Sequence, residues 1–381
     1  MKFPSKSVPR WGLATLIVLG FLARAAWVIH DRTAPAHPDL LSFHPDHLPL
    51  THPFDTSPRE PLFVWWLWLL QSLGIKSVFA IRLEGILWFL PNAFLMFHLV
   101  RRHWNERIAW GALTLFAFLP GQIMADGIGL RHLLETTGVL LFLSGLRNDS
   151  GLSTGKSFGQ AAIGFAGLVL TRITYAGAGG ALLVLSAVRG RRWRPLLAGL
   201  PAAFLLFFHL ANNHRRYGDA LYSVNRHSYW FANREFVGRP GYPATEEERQ
   251  INNYQKTATY RQWAFKEHSP TEFMRDTGIG YVRAAWTFYS WVYFRIGLPG
   301  WMTIFLLALH LWGGVFGLTG PAGRVVIALW VFFVYPCAFP SHVYWVGRFF
   351  VPFTPLTLGL LASGLDHLGL KARAGWLRLR S

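Results

Sequence analysis

Three His-Pro pairs, His37-Pro38, His44-Pro45 and His52-Pro53, recur at spacings of seven and then eight residues in HPDLLSFHPDHLPLTHPF, residues 37 to 54. Asp39 and Asp46 each follow one of the first two pairs, with Asp31, Asp55, Glu60, His30 and His47 close by. Three readings fit such a loop. Imidazole nitrogens and carboxylate oxygens ligate divalent cations, and His37, His44, His47 and Asp46 would supply them. Their spacing matches no recognised ligand motif and the prolines restrict convergence, so no cofactor is expected to be required and a metal is the less favoured reading. A carboxylate facing a reacting hydroxyl is a general base. Failing both, prolines at 35, 38, 45, 49, 53, 58 and 61 stiffen a solvated connector.

A base needs an electrophile to serve, and the rest of the chain offers phosphate-binding groups. Arg59, Arg131 with His132, Arg172, and His342 with Arg348 stand at the ends of apolar runs. A guanidinium presents paired donors to phosphate oxygens, although one at a span end can also anchor to lipid headgroups. Glu60 is a partner for a neighbouring arginine or a sugar contact, or forms a surface ion pair. Glu135 lies near the same face and stands four residues after Arg131, where a helix would pair them.

What must position these residues is a helical frame in a membrane. Of the 381 residues, 52% are hydrophobic and 16% aromatic, and only 15% are charged, more apolar surface than a soluble domain of this size conceals. The net charge of +18 falls mainly in short clusters between apolar runs and in one long polar segment. The clusters fit cytoplasmic anchoring and anionic lipid better than nucleic acid. Cys337 is the single cysteine, which excludes an intrachain disulfide and a cysteine-based zinc site. No glycine-rich nucleotide loop is found.

Ten apolar segments approach spanning length: 11 to 29, 78 to 100, 107 to 123, 133 to 146, 158 to 172, 175 to 188, 195 to 211, 300 to 318, 323 to 340 and 349 to 366. Lys2, Lys6 and Arg10 precede the first, whose Ala23-Arg24-Ala25 mimics a signal-peptidase site; its length predicts a retained signal-anchor. The segment 61 to 73, PLFVWWLWLLQSL, would be about 20 Å long as a helix, short of the ~30 Å hydrocarbon core. Reading it as an interfacial helix keeps RRHWNER (101 to 107) and RGRRWR (189 to 194) inside, with Arg147, Lys156, Arg324 and the basic tail.

The expected fold is therefore an α-helical polytopic membrane protein with about ten transmembrane helices and both termini cytoplasmic. Three parts follow: a transmembrane module over 1 to 211 with an outer loop at 30 to 77, an extracytoplasmic segment over 212 to 299, and C-terminal helices over 300 to 381. Within the middle part, TEEERQINNYQKTATYRQWAFKEHSP reads as one soluble helical stretch ended by Ser269-Pro270, and 281 to 297 as a second interfacial helix. Tyr229, Trp230 and Asn233 are contacts for sugar or acceptor, or else packing residues; His30 and His214 carry the same alternatives.

Several stretches, in order, resemble a known family. REPLF (59 to 63) introduces an interfacial helix, LRHLLETTGVLLF (130 to 142) is similar to a fourth span, and GLVLTRITYAG (167 to 177) to a Leu-Thr-Arg turn. ANNHRRYGDALYSVNRHSYWFANREFVG (211 to 238) and GRFFVPFTPLTLGLLASGL (347 to 365) resemble later segments. Together they resemble the GT-C superfamily of membrane glycosyltransferases. The type is glycosyltransferase family 39, related to protein O-mannosyltransferases and aminoarabinose transferases. Many relatives carry Asp-Glu, or Asp before a tyrosine, in the first loop; here the nearest equivalent is Asp39 with Phe43 in the tyrosine's place, and Asp46 remains the alternative.

The resemblance implies sugar transfer from a polyprenyl-phosphate donor to an extracytoplasmic lipid, glycan or protein, in the cell inner membrane, by inverting displacement. Asp39 (or Asp46) would take the acceptor proton. Arg59, Glu60, Arg131, Arg172, Arg348 and His342 would hold the donor and its phosphate, with Glu135, Tyr229 and Asn233 lining the site. The rivals are a flippase or transporter, and a ligase or polymerase that uses a lipid-diphosphate donor.

Overall fold

Apolar runs punctuated by capping residues fold as helices, and all regular structure among the described residues is helical. The computed structural model describes residues 10–34, 53–54, 56, 60–129, 131–146, 155–287, 300–318, 335–344 and 351–380. In chain order the helices are α1 (Arg10–His30), α2 (Pro61–Ser72), α3 (Val78–Gly85), α4 (Phe89–His103), α5 (Glu106–Phe118), α6 (Pro120–Asp126), α7 (His132–Gly145), α8 (Gly155–Thr171) and α9 (Tyr175–Gly190). They continue with α10 (Arg194–Leu197), α11 (Leu200–Tyr217), α12 (Tyr222–Glu235), α13 (Glu246–Ile251), α14 (Tyr260–Phe265), α15 (Pro270–Thr287), α16 (Gly300–Leu318), α17 (Tyr335–Val343) and α18 (Thr354–Arg380).

Among the described residues, three helical stretches are long and apolar enough to cross a membrane: Trp11–His30, Val78–His103 and Arg194–Tyr217. A fourth follows if α5 and α6 count as one broken span. The outward faces of these stretches carry Val18, Leu19, Leu22, Phe94, Phe204 and Phe207, all exposed. Apolar faces of this extent need a neighbour other than water. Helix α2 has 12 residues, about 18 Å, and buries Phe63, Val64, Leu67 and Leu70 on one side.

Two expectations are corrected. The segment 107 to 123 does not run straight: α5 and α6 meet at a 60° bend. Pro120, at the start of α6, has no N–H to give the carbonyl of Phe116, four residues earlier. Arg24 of α1 supplies the missing donors, Nη2 to Phe116 O at 2.7 Å and Nη1 to Ala117 O at 2.9 Å. Its Nη1 also donates to Gly20 O and its Nε to Asp126 Oδ2 at 2.8 Å, while its guanidinium lies 3.7 Å from the Phe89 ring centroid. Four of its five N–H groups are thereby satisfied in a fully buried position.

The polar stretch 245 to 270 is likewise not one helix. It forms α13 and α14 with a break after Ile251, because Asn233 donates to the carbonyls of Asn253 and Gln255 and Thr259 opens α14 with a capping box to Gln262. Ser269-Pro270 starts a helix rather than ending one: Ser269 and Glu272 exchange hydrogen bonds across the first turn of α15. The expected interfacial helix at 281 thus begins inside α15, and residues 288 to 297 lie outside those described.

Helices α7 and α8 form the most extensive helix pair, and α11 and α2 both rest on α8. Gly164 makes the first pairing possible, since a Cβ there would come within 2.3 Å of the Phe142 backbone nitrogen. Asn92 of α4 donates to Leu133 O at 2.8 Å and accepts from Thr137 at 2.8 Å. This double link fixes how α7 is rotated, and with it where Glu135 points.

Candidate functional site

Glu60, Arg131, Glu135 and Arg172 come from three separate regions of the chain and form one line of alternating charges. Glu60 precedes Pro61, which opens α2 at no hydrogen-bond cost because a first-turn N–H has no partner to lose. Its carboxylate caps nothing; Oε2 accepts from Arg131 Nη1 at 2.8 Å. Arg131, just before α7, also reaches Glu135 Oε1 through Nε at 3.0 Å, the expected pairing one helical turn apart. Arg172, the residue after α8, donates Nε and Nη2 to the same oxygen at 3.2 and 3.1 Å. All four side chains are buried.

Two carboxylates and two guanidiniums cancel, so the line is neutral but strongly polarised. Glu135 Oε2 and His132 Nδ1 are both buried without a hydrogen-bond partner among the described residues, 3.6 Å from one another. A cavity of ≈ 60 Å³ opens beside the line, room for a few water molecules. Glu60, Arg131 and Arg172 line it on one side, Ser223, His227 and Ser228 of α12 on another, and Tyr260, Trp263 and Pro340 close it. Thr174, also in its wall, has a buried hydroxyl with no partner among the described residues.

Burial alone would favour a neutral Glu60, but Arg131, His227 and Arg172 outweigh it and hold its carboxyl down to about 2. A carboxyl lowered on folding stabilises the fold above its unfolded value of 4.5 and loses that contribution as the pH falls toward 2. The shift is worth about 3 kcal/mol. Melting curves in detergent between pH 7 and pH 3 are expected to show a loss of stability beginning near pH 4.5, and Glu60→Gln is expected to be less stable at pH 7 with a shallower acid limb. An equally steep limb in the variant contradicts the assignment.

The other expected site residues are placed as follows. Asp39, Asp46, Arg59 and Arg348 lie outside the described residues, as do His37, His44 and His47. His342 is apart from the charge line, with its Nε2 3.2 Å from Glu235 Oε1. Tyr229 is buried, its hydroxyl without a hydrogen-bond partner among the described residues. Asn233 is engaged with residues 253, 255 and 257, a packing role. His30 and His214 are exposed. Arg82 ties Asp31 (Nη2 to Oδ2, 2.7 Å) and Gly127 O (2.6 Å) to α3, closing the end of α1.

Sequence reading did not single out His227, Trp263, Glu235 or His268. His227 and Glu235 lie in the stretch from 211 to 238, among the singled-out Tyr229, Trp230 and Asn233. No spacing rule joins positions 60, 131, 172, 227 and 263, because tertiary packing alone brings them to one cavity. No protein-family model, no curated protein and no solved structure matches the chain.

Proposed function

We propose that the chain is a membrane glycosyltransferase that moves a sugar from a polyprenyl-phosphate donor to an acceptor outside the cytoplasm, within a GT-C type frame of about ten spans whose termini are both cytoplasmic. The observation that carries the reading is the buried Glu60–Arg131–Glu135–Arg172 line facing one cavity beside the interfacial helix α2. A lipid-linked donor keeps its tail in the bilayer and its phosphate at the surface, where such a line would meet it.

In this reading Asp39 removes the acceptor proton, the acceptor oxygen bonds to the anomeric carbon, and the polyprenyl phosphate leaves with the bonding pair. The charge that grows on that phosphate is met by guanidiniums already oriented by Glu60 and Glu135, so little reorganisation accompanies the step. Arg59 and Arg348 are further donors to the phosphate. The cavity is too small for a sugar and would receive only the anionic end of the donor.

The test is turnover by the purified chain of polyprenyl-monophosphate sugars, with envelope glycans compared by mass spectrometry in cells with and without it. Arg172→Ala is expected to lower donor turnover by about 10²- to 10³-fold while Arg131 keeps Glu135 paired. Donor binding and turnover equal to the parent chain would remove Arg172 from the phosphate site. Consumption of a diphosphate donor alone points to a ligase or polymerase. No turnover of either donor points to transport.

One observation favours transport, the charged pair Arg24–Asp126 enclosed among apolar helices. Its hydrogen bonds go to the broken helix, to Gly20 of α1 and between its two members, which suits a structural joint better than a substrate path.

A further inference from the structure

Away from the charge line, Glu235, His268 and His342 bring a carboxylate oxygen and two ring nitrogens within 4.8 Å of one another. They belong to the last turn of α12, to the connection between α14 and α15, and to α17. Gly280 lets α15 lie against α17, where a Cβ would come within 1.9 Å of Ala338 O. Arg283 Nη1 then donates to His342 O at 2.6 Å.

The orientation of the rings is the telling detail. His268 Nδ1 lies 2.8 Å from Trp263 O, and His342 Nδ1 is hydrogen-bonded to Phe339 O. A carbonyl can only accept, so each Nδ1 carries its proton and a neutral ring turns the lone pair of Nε2 inward. Both Nε2 atoms face one oxygen, Glu235 Oε1, at 2.7 and 3.2 Å. With neutral rings three lone pairs converge on one point, an arrangement that a cation between them makes favourable, whereas protons on both Nε2 atoms would make it a hydrogen-bonded His–Glu–His cluster. Backbone carbonyls that fix the outer nitrogen of a histidine are the usual second layer of a metal site.

We propose that Glu235, His268 and His342 bind a divalent transition-metal cation of the zinc type. Tetrahedral zinc with bonds of about 2.0–2.2 Å separates its ligand atoms by roughly 3.3 Å, and the Glu235–His342 distance already meets that value. The Glu235–His268 pair, at 2.7 Å, opens by about 0.6 Å to admit the ion, and the two ring nitrogens lie within 4.8 Å of one another. Glu235 Oε2 is occupied by Trp263 Nε1 at 2.7 Å, so the carboxylate binds through one oxygen. Asp276 Oδ2, 4.0 Å from His268 Nε2, or a water completes the shell. Two imidazoles and no thiolate select zinc-like ions over calcium or magnesium. The ion clamps α12, the α14–α15 connection and α17 together, and holds the Trp263 wall of the cavity. This inference is independent of the transfer chemistry.

The experiment uses the full chain purified in detergent, loaded with Zn²⁺, freed of excess and assayed for metal by mass spectrometry, in parallel with His268→Ala and His342→Ala. About one zinc per chain is expected, falling at least about tenfold in either variant, and a chelator lowers the melting temperature of the parent chain. Should a variant not fold, Co²⁺ titration of the parent chain gives a second reading, with visible absorption of a low-symmetry nitrogen and oxygen site expected at stoichiometric ion. Less than about a tenth of a zinc per chain after loading, equal zinc in a folded variant, or no Co²⁺ absorption overturns the proposal and leaves a protonated His–Glu–His cluster.

Discussion

Asp39→Asn is expected to abolish glycosyl transfer, by roughly 10²- to 10⁴-fold or more, with protein level and membrane insertion unchanged. An amide has nearly the shape of the carboxylate but cannot take a proton from the acceptor hydroxyl. The argument for this loop gains from its two ends. On one side Asp31 is tied to Arg82. On the other, Asn212 donates to Phe54 O at 2.8 Å, Trp65 Nε1 is hydrogen-bonded to Pro53 O, and Glu60 is held by Arg131. The first flank is therefore fixed to α3, and the second to α2, α11 and, through Glu60, the charge line itself. The comparison variant is Asp46→Asn, expected to keep most of the turnover. Full turnover in Asp39→Asn with loss in Asp46→Asn would transfer the base to the second aspartate, and turnover in both would remove the loop from the chemistry.

Arg24→Leu is expected to cost about 3–5 kcal/mol, because it leaves Asp126 buried without its partner, and to deplete folded protein from the membrane. The double variant Arg24→Leu with Asp126→Leu is expected to recover part of this, since an apolar pair in place of an ion pair is often close to neutral. Recovery stays incomplete because the carbonyls of Phe116 and Ala117 lose their donors, at about 1–3 kcal/mol for an unsatisfied buried group. Unfolding of the four proteins of this cycle in detergent measures the coupling. A single variant within about 0.5 kcal/mol of the parent chain contradicts the joint.

How much of this was legible in the sequence depends on whether the signal was local. The start of the second apolar stretch was, because Ser77 caps at Val78, and so was the pairing of Arg131 with Glu135. The alternation of acid and base from Glu60 to Arg172 was visible only as separate candidates, since the order of contact depends on the rotation of α7 set by Asn92. Pro120 was a readable break that the hydropathy of 107 to 123 concealed. Ser269-Pro270 was ambiguous, as the same pair stops one helix or starts the next, and Glu272 three residues on decides it. The Glu235–His268–His342 cluster joins positions up to 107 residues apart, beyond any motif, while the conspicuous histidines at 37 to 52 lie outside the described residues.

The joint around Arg24 also bears on how the protein is made. If α1 crosses the bilayer, Arg24 enters it about a hundred residues of synthesis ahead of its partners Phe116, Ala117 and Asp126. A lone arginine in a membrane helix opposes insertion by about 2.5–3.5 kcal/mol, which the leucine, isoleucine and valine residues around it must outweigh in the meantime. Helix α1 would thus be held provisionally in the nascent chain and become secure only when the bent pair α5–α6 arrives, so the kink at Pro120 would act as a late lock on a helix made well before it.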